Sequence, residues 1–173
     1  MITIDVSKCS GCRRCEVVCS FAHSGKVGRS SARIKVVKIE GQGIDMPAVC
    51  QQCLERYCTK CPEGAITVGP LGQVVVSPTL CTACGACERQ CPIGAIELYS
   101  DIPYVCDLCG GAPRCVQACN LRALSFLPDA VGIVSLADAR KHSRGLPTEA
   151  KRVLHAERAA ASLREQWLAR RQA

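Results

Sequence analysis

The chain has 173 residues, 16 of them Cys, and only 3% aromatics. That is length for one compact unit or two small ones, with too few large apolar side chains for a conventional core. The formal charge of +7 gathers at one end, since residues 140–173 carry nine Lys/Arg against three Glu. A basic terminal segment without interleaved aromatics speaks against nucleic-acid binding, and no run of ~18 apolar residues is present to span a membrane.

Ile2-Thr3-Ile4 predicts a strand leading into Cys9, Cys12, Cys15 and Cys19, spaced x2, x2, x3. A short helix from Cys15 to about His23 carries Cys19, and a Gly- and Ser-rich loop follows over Gly25 to Ser31. Polar and apolar residues alternate from Arg33 to Ile39, which predicts a strand that Gly41-Gln42-Gly43 ends. The second run is Cys50, Cys53, Cys58 and Cys61, spaced x2, x4, x2. Ala65 to Val68 and Gln73 to Val76 flank Gly69-Pro70-Leu71-Gly72 and predict a hairpin. The third run, Cys81, Cys84, Cys87 and Cys91, again has x2, x2, x3 spacing. Cys61-Pro62-Glu63-Gly64-Ala65-Ile66 recurs as Cys91-Pro92-Ile93-Gly94-Ala95-Ile96. In each copy Pro ends the helical turn and Gly permits the turn back into a strand. The fourth run is Cys106, Cys109, Cys115 and Cys119, spaced x2, x5, x3. Leu121 to Phe126 and Val131 to Leu136, around Leu127-Pro128-Asp129-Ala130, predict a second hairpin. Pro147-Thr148-Glu149 opens a helix running to the end, with Thr148 as N-cap and Glu149 at the positive helix end. Val153, Ala156, Ala160, Leu163 and Trp167 form its apolar stripe.

The four runs use every Cys. The third reads C-x2-C-x2-C-x3-C-P, in which three thiolates wrap one corner of an iron–sulfur cube. The fourth Cys lies one turn on, and in two-cluster ferredoxins it ligates the other cluster. Disulfides would need an oxidising compartment, and Met1-Ile2-Thr3-Ile4-Asp5 leads straight into the first run without a basic or apolar leader. Zinc prefers two separated Cys pairs. Four [4Fe-4S] clusters in a cytoplasmic protein are therefore expected. The shared repeat pairs the middle runs, so Cys50, Cys53 and Cys58 take Cys91, and Cys81, Cys84 and Cys87 take Cys61. By elimination Cys9, Cys12 and Cys15 take Cys119, and Cys106, Cys109 and Cys115 take Cys19. The alternative pairs the first run with the second and the third with the fourth. The short gap before Cys61 and the long gap before Cys115 make these the least regular ligand loops.

The expected fold is α+β, with two nested bacterial ferredoxin-like dicluster units of short hairpins and helices around four cubes, and a C-terminal helix. Residues 1–40 plus 100–140 form the outer unit, 41–99 the inner unit, and 141–173 a basic helical extension. Each cluster has four Cys, so no iron is left open for substrate. Gly110-Gly111 lies inside a ligand run and is a turn, not a nucleotide loop. No radical-type Cys pattern occurs. The chain reads as a non-catalytic electron wire. His23, His142 and His155 are isolated and read as surface residues, and Glu88 and Asp107 as solvated carboxylates. The terminal helix either folds back on the body or docks on a partner or a second copy through residues 147–173, with Trp167 as an anchor.

The four runs, their order and the Cys-Pro-x-Gly-Ala-Ile repeats resemble the four-cluster ferredoxin-like electron-transfer subunits of multisubunit redox enzymes. These include formate hydrogenlyase, molybdopterin oxidoreductases and carbon monoxide dehydrogenase. Lys8-Cys9-Ser10-Gly11-Cys12-Arg13-Arg14-Cys15-Glu16 looks most like the small iron–sulfur subunit of tungsten-dependent aldehyde oxidoreductase complexes. The resemblance covers residues 1–138. It implies a tungsten- or molybdenum-pterin catalytic subunit at one end and a flavoprotein subunit, NAD-linked, at the other. Hydrogenase, formate dehydrogenase and carbon monoxide dehydrogenase are the alternative partners. A zinc scaffold is the remaining reading, and it would be colourless.

Overall fold

The computed structural model describes residues 1–172. Its strands pair only as antiparallel ribbons. The first joins the two ends of the cysteine-bearing body: β1 (Ile2–Ile4) pairs with β8 (Leu124–Phe126), Ile2 opposite Phe126. The Met1 ammonium donates to the Leu127 carbonyl at 2.6 Å, and Leu127 N–H returns a bond to Met1 O at 2.8 Å. The predicted hairpin between residues 121–126 and 131–136 is thus not formed. β1 takes the hydrogen-bonding edge of β8, and the later segment crosses to the second cysteine run, where Leu54 N–H donates to Val134 O at 2.9 Å.

The second ribbon is β2 (Ile34–Ile39) with β3 (Ile44–Val49). Ile34 and Val36 are buried while Lys35 between them is only partly so, the alternation the sequence shows, and the same face opens to solvent at Lys38. β3 contains Pro47, tolerated because a two-stranded ribbon has only edges. Glu16, 2% exposed, accepts the Val36 N–H at 2.6 Å and so ties the first helix to this ribbon. The expected boundary between units, at 40/41, falls in the 3-10 turn Glu40–Gln42 that joins β2 to β3.

β4 (Ile66–Val68) and β5 (Val74–Val76) form the predicted hairpin, closed by Gly69 N–H to Gln73 O at 2.9 Å. β6 (Glu97–Tyr99) and β7 (Ile102–Tyr104) form one the sequence did not announce. Its turn is Ser100-Asp101, both at positive φ (50° and 60°). That is the primed geometry a two-residue hairpin needs, here without glycine.

The helices are α1 (Arg14–Ser24), α2 (Ala86–Gln90), α3 (Arg114–Gln117), α4 (Ala137–Ser143) and α5 (Thr148–Gln172). Gly25, at φ 68°, ends α1 by donating to Phe21 O at 2.9 Å, an αL cap. α4 was not expected. α5 folds back along β2 and β3, but not on the predicted stripe. Ala156 and Ala160 are buried as expected, beside Lys151 and Arg152, whereas Val153 is partly exposed and Trp167 is 55% exposed. Thr148 is the first residue of α5 rather than the residue before it, and its hydroxyl donates to Glu88 Oε1 at 2.6 Å. The small-strand and helix mixture is α+β, and its core is aliphatic residues packed around buried Cys. Among the described residues no helix is long and apolar enough to cross a membrane.

Candidate metal centres

The sixteen Cys are free thiols gathered from different parts of the chain. One cavity is lined by Cys9, Cys12, Cys15 and Cys119. A second is lined by Cys19, Cys106, Cys109 and Cys115, and a third by Cys50, Cys53, Cys58 and Cys91. Each holds three Cys of one run and the last Cys of another. In the fourth group, Cys81 and Cys61 both act on the Cys87 thiol. The groups also neighbour one another in order. Cys115 acts on Cys15, Cys50 on Cys106, and Cys87 on Cys58. The only exposed Cys are Cys12 and Cys84, one in each terminal group.

Local backbone geometry explains how the runs turn around these cavities. Of nine non-glycine residues at positive φ, Arg13, Gln52, Arg56, Ala83, Leu108 and Cys109 lie inside the cysteine runs. Such conformations are costly and persist where the surroundings require them. They aim peptide N–H groups inward, the arrangement of an anion-binding nest. Backbone N–H groups of Gln52, Leu108 and Val116 thus serve Cys50, Cys106 and Cys115. Arg33 N–H donates to Cys19 Sγ at 3.3 Å and Ala95 N–H to Cys91 Sγ at 3.2 Å.

Burial dominates the titration of these thiols. It pushes Cys15, Cys58 and Cys115 up to about 12 and Cys87 to about 11, with neighbouring Cys adding to the rise in each case. Cys50 and Cys106, the most enclosed, are also raised. Four sulfurs around one space, at least one of them buried in every group, cannot all ionise without a cationic group between them. A tetrathiolate-ligated iron–sulfur core supplies that charge and fits this donor set.

Several polar residues sit closer to these groups than the sequence suggested. His23 is not a free surface residue. Its Nε2 lies 3.5 Å from Asp107 Oδ1 and 3.7 Å from Cys109 Sγ, and burial lowers its pKa. Asp107 is not simply solvated either. It accepts from Arg33 at 2.5 Å and from Cys109 N–H at 3.0 Å, and its pKa is lowered although burial opposes the shift. His155 is half-buried with Nε2 3.4 Å from Gln51 Nε2, and burial pulls it down to about 4. His142 is on the surface, near Asp138 and Arg158. Asp107 could have been suspected from its place between two ligands, but Arg33 and His155 carry no such signal.

Residues 74–97 match the 4Fe-4S binding domain family. The chain is similar to the aliphatic sulfonate oxidoreductase, polyferredoxin-like subunit of Pyrococcus furiosus, with 42% identity over 123 residues, covering 69% of this chain and 70% of the relative. It is similar to the electron transport protein HydN of Escherichia coli (strain K12), with 34% identity over 152 residues, 71% of this chain and 85% of the relative. A solved structure, the active site complex BamBC of benzoyl coenzyme A reductase as isolated, aligns at 30% identity over 72% of this chain and 74% of that chain, with a TM-score of 0.44.

Proposed function

Because the chain belongs to the ferredoxin-like iron–sulfur electron-transfer subunits of oxidoreductase complexes, we propose that it is a non-catalytic wire carrying four [4Fe-4S] clusters. The observation that carries this reading is the composition of the cavities, three Cys from one run and the last Cys of another. The ligand sets are Cys9, Cys12, Cys15 and Cys119; Cys106, Cys109, Cys115 and Cys19; Cys50, Cys53, Cys58 and Cys91; and Cys81, Cys84, Cys87 and Cys61. In this reading residues 1–40 and 100–140 form the outer dicluster unit and residues 41–99 the inner one. When bound, each cluster supplies one-electron chemistry. The protein supplies spacing, buried sulfur ligands and peptide N–H groups aimed at them. Exposed Cys12 and Cys84 mark the two ends at which electrons enter and leave.

The partners we favour are a tungsten- or molybdenum-pterin catalytic subunit and a flavoprotein subunit, in the cytoplasm. The subunits of hydrogenase, formate dehydrogenase or carbon monoxide dehydrogenase are the alternatives. An EPR-monitored reductive titration of anaerobically purified protein tests the wire. It should take up about four electrons per chain, one per cube; uptake of about two or fewer refutes the four-cluster reading.

A second reading concerns the distal end of α5. Trp167 and Leu168 are 55% and 47% exposed, and apolar residues at a helix end favour self-association in addition to electron transfer. Removing residues 162–173 leaves the buried Ala156 and Ala160 in place. It should reduce the assembly size measured by light scattering, and an unchanged size refutes this role.

A further inference from the structure

Two cations, buried Lys151 on α5 and half-buried Arg140 on α4, converge on the end of α2 beside one cluster cavity. Lys151, 2% exposed, donates from Nζ to Glu88 O at 3.2 Å and Arg89 O at 2.7 Å. Arg140 donates from Nη1 to Gln90 O at 2.7 Å. These are three successive carbonyls at the end of α2, and the next residue is Cys91. Arg140 also stacks over the Tyr57 ring at 4.3 Å, and Tyr57 lines the cavity of Cys50, Cys53, Cys58 and Cys91 together with Leu136. Both cations therefore hold the end of α2 that leads into Cys91, and Arg140 also packs on a wall of that cavity.

Their charge is not cancelled locally. Among the described residues neither Lys151 nor Arg140 has a carboxylate within 4.0 Å. Arg152, one residue along, does, since it meets Glu97 at 2.8 Å. The closest carboxylate on α2, Glu88, is otherwise engaged: Oε1 accepts the Thr148 hydroxyl and Oε2 the Leu98 N–H at 3.4 Å. Burying an ammonium against carbonyls alone is expensive. Burial indeed pushes the Lys151 pKa down, and among the charges that hold it up Cys91 counts before Glu88.

We propose that Lys151 and Arg140 are fixed positive charges that raise the reduction potential of the centre held by Cys50, Cys53, Cys58 and Cys91, making it the point on the chain where an electron rests. This rests on the ligand sets proposed above. The step is a one-electron reduction, with the electron supplied by a neighbouring centre, and no proton moves and no bond forms or breaks. Reduction adds one negative charge inside the cavity, and a buried cation favours that state because charges interact strongly in low dielectric. Each cation shifts the reduction equilibrium by roughly tenfold, or about 59 mV at one electron per tenfold.

The test is an EPR-monitored potentiometric titration of the full-length iron-loaded protein, comparing wild type with Lys151→Met, Arg140→Gln and Lys151→Arg. With iron content unchanged, each neutral variant should lower one midpoint by about tenfold in the equilibrium, while Lys151→Arg keeps it. The displaced signal should be the one that Cys91→Ser removes. Unchanged midpoints at full iron content would overturn the proposal and leave the two cations as mere clamps on the helix. A shift in a centre that Cys91→Ser leaves intact would overturn it equally. If Lys151→Met loses iron, Arg140→Gln decides by the same criteria. A wild-type protein without iron would instead sink the ligand assignment, which separates the two failures.

Discussion

Gly64 and Gly94 occupy the same place in the internal repeat and have the same φ of +63°, yet their surroundings differ. Nothing lies within 4 Å of a Cβ added at Gly64. A Cβ added at Gly94 would overlap the Thr148 carbonyl oxygen and come within 2.9 Å of Arg152 Cγ. The Gly94 carbonyl also accepts from Arg152 Nε at 2.8 Å, so this glycine is where α5 seats on the body. Ala at either site is forced into the left-handed region, costing about 1–2 kcal/mol. Only at Gly94 does the methyl press on helix backbone, which cannot rotate away and adds about 1–3 kcal/mol of overpacking. Gly64→Ala should therefore cost about 1–2 kcal/mol and Gly94→Ala about 2–5 kcal/mol. Anaerobic urea unfolding measures the totals. Hydrogen exchange over residues 148–160 should accelerate in Gly94→Ala and stay unchanged in Gly64→Ala. Equal behaviour of the two variants in both assays would refute the seating of α5 on Gly94.

Cys91→Ser should damage the centre of Cys50, Cys53 and Cys58 and spare that of Cys81, Cys84 and Cys87; EPR that loses the latter signal instead would reverse the cross-run pairing. Glu16→Gln removes the charge behind the 2.6 Å bond to Val36 N–H and the contact with Arg29. It should cost about 1.5–3 kcal/mol in chemical denaturation, and a neutral result would show that α1 is held to β2 by other means. His155 is kept uncharged, with its pKa lowered from 6.5 to about 4 by burial and by Arg158. The unfolded chain then binds a proton that the folded chain refuses. Stability should be full above about pH 6.5 and fall as the pH drops toward 4. In His155→Phe this component of the pH slope should vanish, and a slope identical to wild type would exclude this histidine as its source.

The cysteine spacing made the clusters legible, because thiolates at fixed offsets leave few other uses. The repeat around Gly64 and Gly94 likewise announced its turns, and Val68 and Val74 their hairpin. Elements whose partners lie far off in sequence were not legible. Ile2 to Ile4 could have paired with any edge, and the competition between Val131–Leu136 and β1 for β8 was settled by tertiary packing. The hairpin at Ser100-Asp101 lacked the usual glycine. On α5 the apolar stripe pointed to Val153 and Trp167, whereas the buried face includes Lys151 and Arg152, whose partners are backbone carbonyls and Glu97. Patterns of hydrophobicity cannot register such contacts. The same blindness hid Arg33 and His23 beside Asp107.

The iron content of the chain tests the four cubes most directly. Iron and acid-labile sulfide should be quantified against protein, by mass spectrometry and colorimetry, in anaerobically purified material, with zinc measured alongside. Four cubes predict about sixteen of each per chain and negligible zinc. About eight irons, or zinc in stoichiometric amount, would contradict them.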